Sequence, residues 1–172
     1  WECYANYVYL DSEERQMFAS QPQNMIITQV QKAIPSGARI QELNFNHPIK
    51  MLVAAVEDGS TVSILNNSNR LKLQINGTDV SDYKFADPGF STIPAYYHSS
   101  SMSRAVSGNK RLFLYPFCLD VSKLQPTGSL NFSRLDSARI VNESALSNET
   151  MYAVNYNILR IENGMGGLMY SN

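Results

Sequence analysis

Charged residues are scarce in this sequence. Lys, Arg, Asp and Glu make up 17% of the 172 residues, below the ~25% of an average soluble domain, and the formal net charge is −1. No block of Lys or Arg occurs, which argues against the basic footprint of a nucleic-acid groove or of an anionic membrane surface. No run of ~18 apolar residues occurs either, so no segment is predicted to span a membrane. A polar but weakly charged surface is suited to broad packing contacts.

Histidine and cysteine, which build metal centres and many nucleophilic sites, are also rare. The two histidines are His47, in a turn before Pro48, and His98, whereas a cupin-type metal site needs several histidines and a carboxylate. There is no G-x-S-x-G motif, and the Gly-rich end “NGMGGLMYSN” lacks the helix and the Lys of a phosphate loop. We therefore predict no enzyme activity, no metal and no cofactor. Cys3 and Cys118 lie in apolar segments and are predicted to be buried free thiols, although a disulfide stays open.

Strand-like segments dominate what is present. Short runs of alternating or β-branched apolar residues recur between turns such as Asn76-Gly77. The segments are Cys3–Leu10, “NMIITQVQKAI”, “RIQELNF”, “IKMLVAAVED”, “RLKLQINGTDV”, “RLFLYPFCLD”, “LQPTGSLNFSRLDSARI” and “ETMYAVNYNILRIE”. One short helix is predicted at “DSEERQMFAS”, capped by Asp11 with Glu14 three residues later, and one long loop at 82–109. About eight strands indicate a single all-β domain, an antiparallel sandwich or barrel.

The alternation also predicts which side chains face the core. The inward set of the last strand is Tyr152, Val154, Tyr156 and Ile158, and the outward set is Ala153, Asn155 and Asn157. The whole predicted core is Val8, Ile27, Leu73, Phe113, Phe117, Phe132, Tyr156 and Ile158.

Arg134 and Asp136 stand out because so few residues are charged. They follow an apolar strand and lie two residues apart, which places them on the same face. Three interpretations are open: a catalytic pair, a salt bridge at the end of a sheet, or part of a contact surface. Because no nucleophile lies nearby in the sequence, the salt bridge is favoured.

Four stretches of the sequence together resemble one protein family. “YVYLDSEERQMFA”, “LNFNHPIK”, “LQPTGSLNFSRLDSARI” and “YAVNYNILRIENGMGGLMYSN” look like the major capsid protein of nucleocytoplasmic large DNA viruses, the algal-virus and iridovirus-like group. The resemblance is to the family's C-terminal jelly roll and implies one eight-stranded antiparallel jelly-roll sandwich over residues 1–172. Family members carry two jelly rolls in tandem. The N-terminal one is absent from these residues, and the strand-like start fits a piece of a longer chain.

The resemblance implies a structural role in the virion. Three copies would form a homotrimeric capsomer of pseudo-hexagonal outline, assembled in the infected host cell and touching neighbouring capsomers and minor capsid proteins, without direct nucleic-acid contact. Arg134 and Asp136 would then tie a sheet end or two subunits. Two other classes stay open: a carbohydrate-binding jelly roll with Tyr96 and Tyr97 as its platform, and a cupin-like enzyme.

Five N-x-S/T sequons occur, at Asn66, Asn76, Asn131, Asn142 and Asn148. We expect Asn66, Asn142 and Asn148 to lie in loops that could carry a glycan, and Asn76, in a tight turn, to be intermediate. Asn131 is predicted to lie in mid-strand and to stay bare.

Overall fold

A computed structural model describes residues 1–56, 62–66, 68–100 and 112–171. The chain divides into two compact units, one made of Trp1–Ile27 with Asn157–Asn172 and the other of Thr28–Tyr156. Within the described part, the helices are α1 (Ser12–Ser20), α2 (Ala86–Gly89) and α3 (Thr92–His98), with 3-10 turns at Ser63–Leu65 and Phe132–Arg134.

Two antiparallel sheets contain all the described strands. The strands are β1 (Gln23–Ala33), β2 (Ile40–Glu42), β3 (Pro48–Ala54), β4 (Arg70–Ile75), β5 (Thr78–Asp79), β6 (Lys84–Phe85), β7 (Phe113–Pro116), β8 (Leu130–Asn131), β9 (Ala138–Asn142), β10 (Met151–Glu162) and β11 (Met165–Leu168). One sheet has the order β1-β10-β3-β7 and the other β2-β9-β4-β5, while β6, β8 and β11 are short additions to β4, β3 and β10. The chain passes repeatedly between the two sheets, so the predicted antiparallel jelly-roll sandwich is confirmed. The described strands number eleven and not eight, because β6, β8 and β11 are additional.

Turn chemistry accounts for the tight hairpins. Asn76 and Gly77, which join β4 to β5, have φ of 49° and 78°. Asn163 and Gly164, which join β10 to β11, have φ of 52° and 77°. Positive φ at both central residues is what a two-residue turn of type I′ requires, and Asn-Gly supplies it at the least steric cost.

The core of the second unit is aliphatic with one aromatic cluster. Phe132 packs edge-on against Phe45 and Phe117, with ring centroids 6.1 and 5.8 Å away. Of the predicted core, Leu73, Phe113, Phe132 and Tyr156 are buried; Ile27, Phe117 and Ile158 are half-buried; Val8 is exposed.

The predicted facing of the last strand is wrong for its outward set, since Ala153, Asn155 and Asn157 are all buried. Met151 and Ala153 are buried, whereas Tyr152 is exposed. The register between β10 and β3 then shifts at Val154, so that Lys50 of β3 has no partner in β10. Such a bulge changes the face of the sheet to which the following side chains point. A strict alternation of inward and outward residues therefore cannot describe the whole strand.

Two other expectations are corrected, and that of helix α1 is confirmed. Cys3–Leu10 joins no described sheet, which leaves Cys3 exposed, whereas Cys118 is buried as predicted and both are free thiols. The predicted long loop at 82–109 contains β6, α2 and α3 as far as residue 100, and its last part lies outside the described residues. Helix α1 is confirmed, and its cap Asp11 accepts a hydrogen bond from the Glu14 N–H at 2.9 Å.

Candidate functional site

Two sequon asparagines lie on loops that are tied together in the second unit. Asn66 follows the 3-10 turn that begins at Ser63, and its N–H donates to the Ser63 carbonyl at 3.2 Å. The Ser63 N–H and hydroxyl donate in turn to the carboxylate of Glu149, at 2.8 and 2.7 Å. Glu149 is the middle residue of the sequon at Asn148. Asn66 and Asn148 are both exposed, so neighbouring loops present two accessible sequons.

Asn142 does not lie in a loop. It is the last residue of β9 and is 2% exposed. Its amide group donates to the Arg39 carbonyl at 3.2 Å and to the Ser147 hydroxyl at 3.0 Å, and its oxygen accepts from Asn69 at 3.1 Å. An N-linked sugar would replace one of these amide hydrogens in a buried position. The predicted placement of Asn142 is therefore wrong.

The partner of Asn142 is a fully buried amide that sequence analysis missed. The Asn69 amide group donates to the Ile64 carbonyl at 2.7 Å, and its oxygen accepts from the N–H groups of Ser144 and Ala145. This network fixes the 3-10 turn against the loop after β9. No local signal separates Asn69 from the other amides of “NNSN”, because its partners Asn142, Ser144 and Ala145 lie more than 70 residues away in sequence.

Asn76 and Asn131 use their side chains to hold backbone. The Asn76 oxygen accepts from the N–H groups of Asp136 and Ser137, at 2.9 and 3.1 Å. The Asn131 oxygen accepts from the Ser133 N–H at 3.1 Å, where β8 ends and a 3-10 turn begins. Asn131 thus lies at a strand end and not in mid-strand, and that it stays bare remains a prediction.

A buried group of titratable side chains surrounds Lys50. Its ammonium donates to the Lys123 carbonyl at 3.2 Å and lies 5.8 Å from the centre of the Tyr156 ring. Burial raises the pKa of the Cys118 thiol, opposed by a hydrogen bond with Thr127. Burial also raises the pKa of Tyr156, whose hydroxyl has no hydrogen-bond partner within the described part of the chain. A thiol that stays protonated is a poor nucleophile. We therefore interpret these buried side chains as part of the packed core.

On the outer face of the second sheet, Lys72 and Asp79 form an ion pair. The Lys72 ammonium donates to the Asp79 carboxylate at 2.6 Å, which lowers the pKa of Asp79 and raises that of Lys72. Lys72 also lies 4.5 Å from the centre of the Tyr83 ring, and Arg70 lies 4.5 Å from that of Phe85. A second and longer ion pair joins Arg70 to Glu143 at 4.0 Å, so Lys72 and Arg70 each have an acidic partner.

Helix α3 exposes an apolar side. Ile93, Tyr96 and Tyr97 follow helical spacing and are exposed, and each tyrosine is 73% accessible. The two tyrosine rings lie 5.1 Å apart at 87°, so they do not present the single flat platform on which a sugar ring would stack. The ring nitrogen Nδ1 of His98 lies 2.8 Å from the Cys118 carbonyl, which anchors the end of the helix.

Arg134 and Asp136 do not form the predicted salt bridge. Both side chains are exposed, and among the described residues neither makes an ion pair. The strand ends at Asn131, and the 3-10 turn that follows removes the two residues from a common face. The contact-surface interpretation stays a prediction.

The first unit exposes many large apolar side chains, and α1 buries none of its residues. The exposed residues include Trp1, Tyr4, Tyr7, Val8, Tyr9, Met17, Phe18, Met165, Met169 and Tyr170. A groove of about 800 Å³ lies between α1 and the turn after β10, lined by Phe18, Ile161 and Gly164 among others. Exposed apolar surfaces of this extent are typical of interaction sites.

Across the described ranges, no group of three or more His, Cys, Asp or Glu side chains could hold a metal ion. None of the described helices is long and apolar enough to cross a bilayer.

Comparison with known proteins identifies the family. A family model described as the large eukaryotic DNA virus major capsid protein matches residues 14–167. The major capsid protein of Pyramimonas orientalis virus is 32% identical, with 98% of this chain and 48% of that protein aligned. That of Paramecium bursaria Chlorella virus 1 is 27% identical, with 98% of this chain and 53% of that protein aligned. The chain thus spans about half the length of these relatives.

The fold has a counterpart among solved structures. A quasi-atomic model of the PBCV-1 capsid superposes with a TM-score of 0.71 at 24% identity, covering 96% of this chain and 56% of the other. With the jelly-roll strand order and the match over residues 14–167, the chain belongs to the family of major capsid proteins of large eukaryotic DNA viruses.

Proposed function

We propose that this chain is the C-terminal jelly roll of a capsid protein that carries two, and that three copies form a pseudo-hexagonal capsomer in the outer shell of an icosahedral virion. The observation that carries the proposal is the family match over residues 14–167 on a jelly-roll strand order. The relatives' lengths support it, since about half of each lies beyond the aligned chain.

The role is structural. Assembly in the infected cell would bring the chain against copies of itself, neighbouring capsomers and minor capsid proteins, without direct contact with nucleic acid. Cys118 is buried and its pKa is raised, which supports a packing function for this thiol.

Assembly would use broad surfaces of low charge. The apolar side of α3, with Ile93, Tyr96 and Tyr97, is one such surface. The Lys72–Asp79 ion pair compensates part of the charge on the outer sheet face. Because salt screens ion pairs and strengthens apolar burial, capsomers held by such contacts should survive high salt.

Native mass spectrometry of the capsid protein released from virions tests this proposal. We expect a trimer that persists after exposure to about 1 M NaCl, at which the Debye length is only ~3 Å. A Tyr97→Asp variant should weaken contacts between subunits or capsomers, while Lys84→Ala, an exposed control on β6, should not. A monomer at low salt, or dissociation by moderate salt alone, would contradict the proposal.

We further propose that exposed sequons carry glycans, with Asn66 and Asn148 modified first and Asn76 less. Support comes from the exposure of these three side chains. Asn142, whose amide is committed to buried hydrogen bonds, moves to the bottom of the ranking with Asn131. Peptide mapping of virion-derived protein tests the order, and Thr150→Ala, which removes one sequon without touching its asparagine, should abolish only the sugar on Asn148. A glycan on Asn142 of the folded protein would refute the ranking.

A further inference from the structure

The segment Cys3–Leu10 has a strand sequence but no sheet. It contains no charged residue and is rich in Tyr and Val. In the described part of the chain it joins no strand, and Tyr7 and Val8 are 82% and 80% exposed. An extended apolar segment with no partner is costly in water, so a covering surface is required.

The alternation of side chains in Cys3–Leu10 indicates the kind of surface that covers this segment. One face of the extended segment would carry Cys3, Ala5, Tyr7 and Tyr9, and the other Tyr4, Asn6, Val8 and Leu10. Because both faces are predominantly apolar, the segment suits a strand inside a sheet that is covered on both sides, and not an edge with one face in water.

We propose that Cys3–Leu10 is a strand of a sheet in the other half of the same polypeptide, so that one strand of this sequence completes the neighbouring sandwich. This inference rests on the proposed two-sandwich architecture. The relatives supply the length: 98% of this chain aligns with only 48% and 53% of theirs, which leaves room for a second sandwich. Asp11 caps α1 immediately after Leu10, so strand and helix follow without a linker. A partner in the same chain acts at a high effective concentration that a separate copy does not match.

Hydrogen exchange and thiol labelling compare the 172-residue chain with the complete capsid polypeptide of the virion. In the 172-residue chain the amides of 3–10 should exchange within seconds and Cys3 should react with iodoacetamide. In the complete polypeptide, as a monomer and in capsomers alike, we expect protection of at least ~100-fold and an unreactive Cys3. Fast exchange in both proteins would overturn the inference. Protection present in capsomers but lost in the monomer would overturn it too, since the partner would then be a second copy.

Substitution gives an independent readout. Tyr7→Asp should leave the melting temperature of the 172-residue chain unchanged and lower that of the complete polypeptide by roughly 5 °C or more. Leu124→Asp, which alters an equally exposed apolar residue, should change neither. Equal changes in melting temperature for Tyr7→Asp in the 172-residue chain and in the complete polypeptide would refute the inference. If Tyr7→Asp does not fold in the complete polypeptide, the hydrogen-exchange assay is carried out on Tyr7→Phe instead. Hydrogen exchange in the monomer does not depend on capsomer assembly. A failure to form trimers would therefore contradict the proposed function without deciding this test.

Discussion

Phe132→Ala removes the ring at the centre of the aromatic cluster. Phe132 is 3% exposed and meets two other rings edge-on. Truncation of a buried Phe to Ala costs about 3–5 kcal/mol, and each aromatic pair adds ~0.5–1.5 kcal/mol beyond the area buried. We therefore expect the free energy of unfolding to fall by about 4–5 kcal/mol, which in a domain of this size lowers the melting temperature by roughly 8–20 °C.

Urea unfolding of the 172-residue chain, followed by far-UV circular dichroism, measures this loss. Tryptophan fluorescence is unsuitable because Trp1 is the single tryptophan and is fully exposed. Phe85→Ala is the matched control: its half-exposed ring lies beside Arg70 on the outer face, and its loss should cost less than about 1 kcal/mol. An unchanged midpoint for Phe132→Ala, or an equal cost for Phe85→Ala, would refute the assigned core.

The remaining predictions concern buried polar groups. Asn142→Ala leaves several buried groups unpaired and should cost about 2–4 kcal/mol in urea unfolding, whereas Asn148→Ala should be neutral. Tyr156→Phe removes a buried hydroxyl that has no partner among the described residues, and it should be neutral or stabilising by up to about 1 kcal/mol. A loss beyond about 2 kcal/mol would show that the hydroxyl is bonded. In the folded chain, iodoacetamide should label Cys3 and spare Cys118, which mass spectrometry can check. Burial raises the pKa of Cys118 and Tyr156, so the unfolded chain loses these protons at a lower pH than the folded chain does. The free energy of unfolding should therefore be constant below about pH 9 and fall above it. A rise in the free energy of unfolding between about pH 9 and 11 would contradict this.

Local chemistry predicted the features that depend on adjacent residues. The Asn76-Gly77 turn and the Asp11 cap follow from steric and hydrogen-bonding rules that act over two to four residues. The jelly-roll class followed from strand spacing together with the family resemblance.

Features set by distant partners could not be predicted in this way. A bulge at Lys50 reverses the facing of β10, and nothing within the sequence of β10 records it. The burial of Asn142 depends on Asn69, which lies 73 residues earlier. Cys3–Leu10 has the composition of a strand, but composition does not say where its sheet is.

Cryo-electron microscopy of the purified virion tests the central claim most directly. We expect a capsomer with a threefold axis in which strands β1 to β10 trace one sandwich, with sheet orders β1-β10-β3-β7 and β2-β9-β4-β5, beside a second sandwich of the same polypeptide. A shell built from other proteins, or capsomers in which this chain is the only sandwich of its polypeptide, would contradict it.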